Sequence, residues 1–435
     1  MMQASLPLAL PSAAPMELTD AMLQTFKCRR SFPMPPVTSL SFHQDGTFLV
    51  SAAQNGSISL FNAVSGSLVK TVHVKKSGVG VVAFTHHPSA ILASAAPSTV
   101  APAPSGGFGA PASAASSAAD DHMIRYLSLH DNRDLRYFRG HSDAVTALSM
   151  CPTDDTFLSS SLDATLRTWD LRADRCQGVI RAPAPSLAVV DPAGLVLAVA
   201  TDNNCVKLFD RRQCEGGPFG SFFLPGAVIT PQSLTFTPDG ASLVIAGAHA
   251  PAAGLGFGSA AATAAPAAAS AAAAGITDAN GANPGATGRI VVLDSFDGRA
   301  TCDISVLLAA APRSAAQLEA LGVSLPADAA ETLAAAASAA ASAAAANAAG
   351  AAGHGARART GPALRASLAP GGRVVSAGLA NGTVCSWDIT TGKLIEGASL
   401  LHAKQTAAGA VAWNPRRAQL ASADLDEVVL WAPQH

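Results

Sequence analysis

The amino-acid sequence points to an all-β fold, a seven-bladed β-propeller, on three grounds. A marker of an aromatic residue or leucine, usually followed by a polar residue, recurs along the chain. The intervals between markers reduce to one length when low-complexity stretches are removed. The residues around each marker follow the alternation of half-buried strands.

The markers are Phe61-Asn62, Leu129-His130, Trp169-Asp170, Phe209-Asp210, Leu293-Asp294, Trp387-Asp388 and Trp431-Ala432. The steps from 130 to 170, from 170 to 210 and from 388 to 432 are roughly 40 to 44 residues, the period of a four-stranded blade. Each remaining step holds one stretch of Ala, Gly, Ser and Pro, at 97–119, 249–288 or about 309–362. Such segments have too little aromatic or branched surface to bury, so they are expected as disordered insertions. Loop closure cost rises only logarithmically with length, so a propeller tolerates them. The Trp-Asp pairs make this a WD-repeat pattern, with one domain over 16–435 after a disordered leader at 1–15.

The third unit shows the grammar of a blade. Ala144–Ser149 reads as the inner strand, Pro152–Asp155 as a turn and Thr156–Ser160 as the second strand. Leu162-Asp163-Ala164 turns the chain into Thr165–Trp169, and Gln177–Ile180 is the outer strand. Gln44-Asp45-Gly46 and Thr237-Pro238-Asp239-Gly240 are hairpin-type turns between apolar runs. The chain ends on a third strand, so the last blade needs a fourth. Gln24–Cys28 is expected to supply it and close the ring, which would otherwise leave exposed edges. Blades five and six are the weakest in this pattern, because an insertion divides Arg289–Leu293 of the fifth from its inner partners and tetrad residues are missing.

His141, Ser159, Asp163 and Trp169 have the composition of a hydrolytic triad. Their places after Gly140, on a second strand, in the next turn and on a third strand instead predict the hydrogen-bonded tetrad of a WD blade. Pairing removes the cost of burying polar groups, about 1–3 kcal/mol for each one left unsatisfied. No G-x-S-x-G elbow, P-loop or dinucleotide fingerprint occurs. His86-His87 is read as loop, and on a strand the two side chains would point to opposite faces and could not share an ion. No cofactor, metal or catalytic group is expected.

Composition narrows the function classes. Hydrophobic residues make up 49% of the 435, but alanine inflates that figure, and only 5% are aromatic. A formal charge of −2 gives no basic field for direct DNA binding. The seven cysteines form no C-x-x-C pair, which argues against a disulfide framework or zinc knuckle and fits a reducing compartment. The stretch before Met16 is a poor secretory signal, and the run from Ala334 to Ala349 is too weakly apolar to span a membrane.

The run Ile124–Asn132, followed by Arg136-Tyr137-Phe138 and Gly140-His141-Ser142, resembles the Swd-two-type WD-repeat subunit of the COMPASS histone H3 lysine-4 methyltransferase complex. Met16–Asp20, Ala147–Met150, Asp154–Phe157, Thr168–Arg172 and Cys176-Gln177-Gly178 support it. The resemblance is strong over about 16–96 and 120–224, fades to a general WD pattern from about 230, and excludes the insertions. It implies a nuclear, non-catalytic scaffold bound to the SET-domain methyltransferase subunit and linked to transcribing RNA polymerase II through its phosphorylated C-terminal repeats. It also implies service in phosphatase complexes and in transcription termination or RNA 3′-end processing.

The residues themselves offer one candidate partner surface. Arg125, Tyr126, His130, Arg133, Arg136, Tyr137 and Arg139 lie close in sequence, with Lys75 and Lys76 in the preceding unit. Arg and Tyr are common interface anchors, and such a cluster suits an acidic or phosphorylated peptide. The competing readings are solvated strand and rim residues with tyrosines packed between blades, an adaptor for another assembly such as a ubiquitin ligase receptor, and a propeller enzyme.

Overall fold

The computed structural model describes residues 16–74, 78–96, 122–183, 186–226, 229–249, 287–307, 364–379, 381–403 and 407–434. The expected leader and the body of each expected insertion lie outside the described residues. The edges of the second insertion do not: strand pairing continues to His249, opposite Ile229, and resumes at Thr287, opposite Leu307, with Ala248 opposite Gly288 between them.

A short helix α1 (Asp20–Gln24), capped by the Thr19 hydroxyl, precedes strand β1 (Phe26–Pro33). Blade one contains β2 (Val37–Phe42), β3 (Phe48–Ala53), β4 (Ser57–Asn62) and β5 (Ser67–His73). Blade two contains β6 (Val79–Phe84), β7 (Ala90–Ala95), β8 (Ile124–Ser128) and β9 (Arg133–Phe138). Blade three is β10 (Val145–Met150), β11 (Thr156–Ser161), β12 (Thr165–Asp170) and β13 (Cys176–Arg181). Blade four is β14 (Ser186–Val190), β15 (Val196–Thr201), β16 (Cys205–Asp210) and β17 (Gly220–Phe223). Blade five is β18 (Ile229–Phe236), β19 (Ser242–His249), β20 (Thr287–Asp294) and β21 (Ala300–Leu307). Blade six is β22 (Ala366–Leu368), β23 (Val374–Gly378), β24 (Thr383–Asp388) and β25 (Leu400–Leu401). Blade seven is β26 (Ala410–Trp413), β27 (Leu420–Ala423) and β28 (Glu427–Pro433), completed by β1.

Each sheet is an antiparallel meander, and the second strands are nearly continuously buried because they are covered by blades on both sides. Outer strands face water, and their burial alternates or vanishes, as in β9 and β13. Buried clusters span neighbouring blades: Leu92, Ile124 and Phe138 of blade two meet Val145, Phe157 and Trp169 of blade three.

Closure runs through β1, where Phe26 opposes Pro433, Cys28 opposes Trp431 and Ser31 opposes Val429, with a bulge after Cys28. The expected segment begins two residues early, since Gln24 ends α1 and Thr25 caps it. Phe26 is buried edge-on against Trp413, with centroids 5.7 Å apart. Blade five is complete despite its weak sequence pattern. Seven residue pairs join β19 to β20, and Ile245, Ile290 and Val291 are fully buried, so apolar pairing replaces the missing polar network.

Candidate functional site

In blade three, Gly140 lets the chain run against its own blade: a Cβ there would lie 2.5 Å from the Arg167 guanidinium and 3.2 Å from the Trp169 ring. This places His141 over the start of β12. The Trp169 indole N–H donates to Ser159 Oγ at 2.8 Å, and Ser159 Oγ lies 2.7 Å from His141 Nε2. His141 Nδ1 is 2.8 Å from Asp163 Oδ2, which also accepts from the Ser142 N–H at 3.1 Å. The other Asp163 oxygen accepts from the Thr165 N–H and hydroxyl at 2.9 and 2.6 Å.

The Trp169 donor assigns the protons along this chain. Ser159 accepts from the indole, so its own hydrogen can point to His141 Nε2, leaving Nδ1–H to face the carboxylate. Burial holds the His141 pKa below its ordinary value, against the opposing pull of Asp163. For Asp163 burial favours the neutral acid, but hydrogen bonds from Thr165, His141 and the Ser142 amide outweigh it and hold the carboxyl below its usual range. Ser159 is completely buried beneath Trp169, so its hydroxyl cannot meet a substrate.

The arginine and tyrosine cluster is divided by the blade. Most of its members sit on the third and outer strands of blade two, β8 and β9, rather than on a rim loop, and alternate side chains face opposite ways. Tyr126 packs into the apolar cluster shared with blade three. Its cross-strand partner Arg136 also reaches blade three, pairing with Asp174 and donating to the Arg172 carbonyl at 3.0 Å.

Arg125 and Tyr137, paired across the same ladder, form the other group. The Arg125 guanidinium lies 5.6 Å from the Tyr137 ring centroid, and that of Arg139 lies 5.5 Å from it. Tyr137 donates to Asp134 at 2.6 Å, and that bond raises the phenol pKa, with burial adding to it. Asp134 is also 3.4 Å from Arg125. His130, Arg133, Tyr137 and Arg139 are exposed. The structure thus gathers Arg125, Tyr137 and Arg139, and separates Tyr126 and Arg136 from them. Lys75 and Lys76 lie outside the described residues. Lys70, which the sequence did not single out, bridges blades one and two by donating to the Leu129 and His130 carbonyls at 2.8 and 3.0 Å.

His86-His87 occupies the turn between β6 and β7, not a strand. His86 Nε2 lies 3.0 Å from the carbonyls of Cys151 and Asp154 in blade three, while His87 Nδ1 pairs with the Ser89 hydroxyl at 2.9 Å. The two rings therefore serve separate structural contacts.

Blade seven contains a second tetrad that the sequence reading missed. Trp431 Nε1 donates to Ser422 Oγ at 2.7 Å, and Ser422 Oγ lies 2.7 Å from His402 Nε2. Its signal was spacing: Ser159 follows His141 by 18 residues and Ser422 follows His402 by 20, with the tryptophan 10 and 9 residues further on. A leucine, not glycine, precedes this histidine, and no Trp-Asp pair ends the blade.

Two family models match the chain. The WD40 domain of anaphase-promoting complex subunit 4 matches residues 23–87, and the WD domain, G-beta repeat, matches residues 132–170. The chain is 35% identical over 210 residues to WD repeat-containing protein 82 of Drosophila melanogaster, covering 48% of this chain and 59% of that protein. It is 32% identical over 213 residues to Set1 complex component swd2 of Schizosaccharomyces pombe, covering 48% and 53%. It is 34% identical over 185 residues to COMPASS component SWD2 of Saccharomyces cerevisiae, covering 42% and 50%. The matched stretch thus spans about half the length of these relatives. Seven four-stranded blades, the Trp-Ser-His-Asp network and this similarity together show a seven-bladed WD-repeat propeller that is homologous, over about half its length, to Set1 complex component swd2 and COMPASS component SWD2.

Proposed function

We propose that this protein is a non-catalytic docking subunit of a nuclear histone H3 lysine-4 methyltransferase complex, held to its SET-domain subunit. The observation that carries the reading is its similarity to proteins named for the Set1 complex and for COMPASS. The architecture supports it: the best-formed polar network is fully packed inside blade three, which suits a platform rather than a reaction site.

The docking surface in this reading is the blade-two edge around Arg125, Tyr137 and Arg139, with Arg133 and His130 as further exposed basic residues of the same blade. Stacked guanidinium and phenol groups combine area with charge and suit an acidic or phosphorylated segment. Through such a segment the protein would link its complex to the phosphorylated C-terminal repeats of RNA polymerase II. Service in a phosphatase or 3′-end-processing complex belongs to the same proposal, and the surface is not one for direct DNA binding.

One observation favours a second reading. The family model matched at residues 23–87 is named for a subunit of the anaphase-promoting complex, so an adaptor role in another assembly is the rival. Affinity capture of the tagged protein from nuclear extract, followed by mass spectrometry, separates them. A SET-domain methyltransferase with its companion subunits is the expected recovery. Recovery of ubiquitin-ligase subunits instead would overturn the proposed function and leave the fold intact.

A further inference from the structure

We propose that His402, Asp424 and Glu427 form a binding site for a divalent transition-metal ion of the zinc class, placed where the ring closes. The two tetrads differ in one respect. Their inner halves match, with serine to His Nε2 at 2.7 Å in both. Their outer halves do not. His141 Nδ1 meets Asp163 at 2.8 Å, whereas His402 Nδ1 stands 3.5 Å from Asp424 Oδ2 and 3.5 Å from Glu427 Oε1. Among the described residues it is buried without a hydrogen-bond partner.

The sequence explains the difference. In blade three, β12 opens with Thr165, whose neutral hydroxyl donates to Asp163 and lies 3.3 Å from His141 Nδ1. Blade seven opens β28 with Glu427, which brings a second carboxylate to the same place. The His402 and Asp424 side chains are 0% exposed and that of Glu427 is 12% exposed. Two carboxylates beside a buried ring nitrogen offer three donor atoms of the kinds that such a dication takes.

Geometry and ligand chemistry fit such an ion. The three donor atoms lie within 4.8 Å of one another. Zinc–nitrogen and zinc–oxygen bonds of about 2.0–2.2 Å place tetrahedral ligands about 3.4 Å apart, close to the two separations found here. One imidazole and two carboxylates suit a borderline ion, with a fourth position left for water. The outer contacts orient each ligand. Ser422 holds His402 Nε2. The other Asp424 oxygen accepts from the Asp426 and Glu427 amides at 2.8 and 2.7 Å. The other Glu427 oxygen accepts from Ser31 of β1. An ion here would tie the connection after blade six to β27, β28 and, through Ser31, the closing strand.

The test uses the full chain stripped with a chelator and then titrated with Zn²⁺, read by metal content per chain and by thermal melting. One retained equivalent and a concentration-dependent rise in Tm are expected. Glu427→Thr, which restores the blade-three residue type, is expected to bind at least tenfold more weakly and to lose the rise while remaining folded by circular dichroism. Glu427→Gln gives an isosteric second variant, and Cys28→Ser is expected to leave binding unchanged. Co²⁺ loading of the wild type should produce the visible absorption of a low-coordinate site. No retained equivalent, no cobalt absorption, or an undiminished zinc response in the folded Glu427 variants would overturn the proposal.

Discussion

Trp431 on the last strand lies directly across the ladder from Cys28 on the first, and its indole donates to Ser422 at 2.7 Å. The residue that seals the ring is therefore also an anchor of the blade-seven network. Closure and internal polar satisfaction are one structure at this seam, so the N-terminal strand should govern the stability of the whole propeller.

Phe26→Ala tests that dependence. Phe26 is buried against Trp413, and deleting a buried phenyl ring costs about 3–5 kcal/mol. The expected outcome is a matching loss of unfolding free energy by denaturant titration. A change below about 0.5 kcal/mol, the range of ordinary surface substitutions, would show that β1 is dispensable for closure.

Ser159→Ala removes the shared oxygen of the blade-three network and strands the Trp169 indole and His141 Nε2. A loss of about 1–3 kcal/mol per stranded group is expected. Ser159→Thr keeps the hydroxyl and should retain most of the stability. Equal losses in both variants would locate the effect in packing instead of hydrogen bonding.

Acidification should weaken the fold in two stages. His141 is held below its ordinary value, so the unfolded chain binds more protons as pH falls from about 6.5 toward the folded value. That contribution is complete above about pH 6.5 and is lost through this window. Asp163 is held below the usual carboxylate range, so its contribution is lost only on further acidification, below about pH 3.9. His43, also lowered by burial, adds to the first stage. Melting curves between pH 8 and 5 should show a falling Tm, with a shallower slope in His141→Asn. A Tm that rises on acidification across this window has the wrong sign for a buried neutral histidine.

Blades one to four were readable because turn residues, alternating strands and the markers agree in the same places. In blade five the apolar pairing rests largely on branched aliphatic residues: Ile245 and Val291 pair across β19 and β20 without any Trp-Asp signal. The seam was legible as a missing strand, but the His402 network was not. Its members are dispersed and lack the Gly-His and Trp-Asp dipeptides, and Glu427 carries no signature until folding brings it beside Asp424. The arginine cluster was visible as composition, while its division between two blade faces depends on strand phase. A bulge where Tyr126 opposes Arg136 and Leu127 opposes Asp134 sets that phase, and composition does not encode it.

Docking to a SET-domain subunit is measurable by calorimetry, with the purified protein titrated by the N-terminal region of such a methyltransferase. Saturable binding is predicted, weakened at least tenfold by joint Arg133→Glu and Arg139→Glu substitution with the melting temperature unchanged. No binding by the wild-type protein, or equal binding by the charge-reversed protein, would contradict the docking claim or its placement on blade two, respectively.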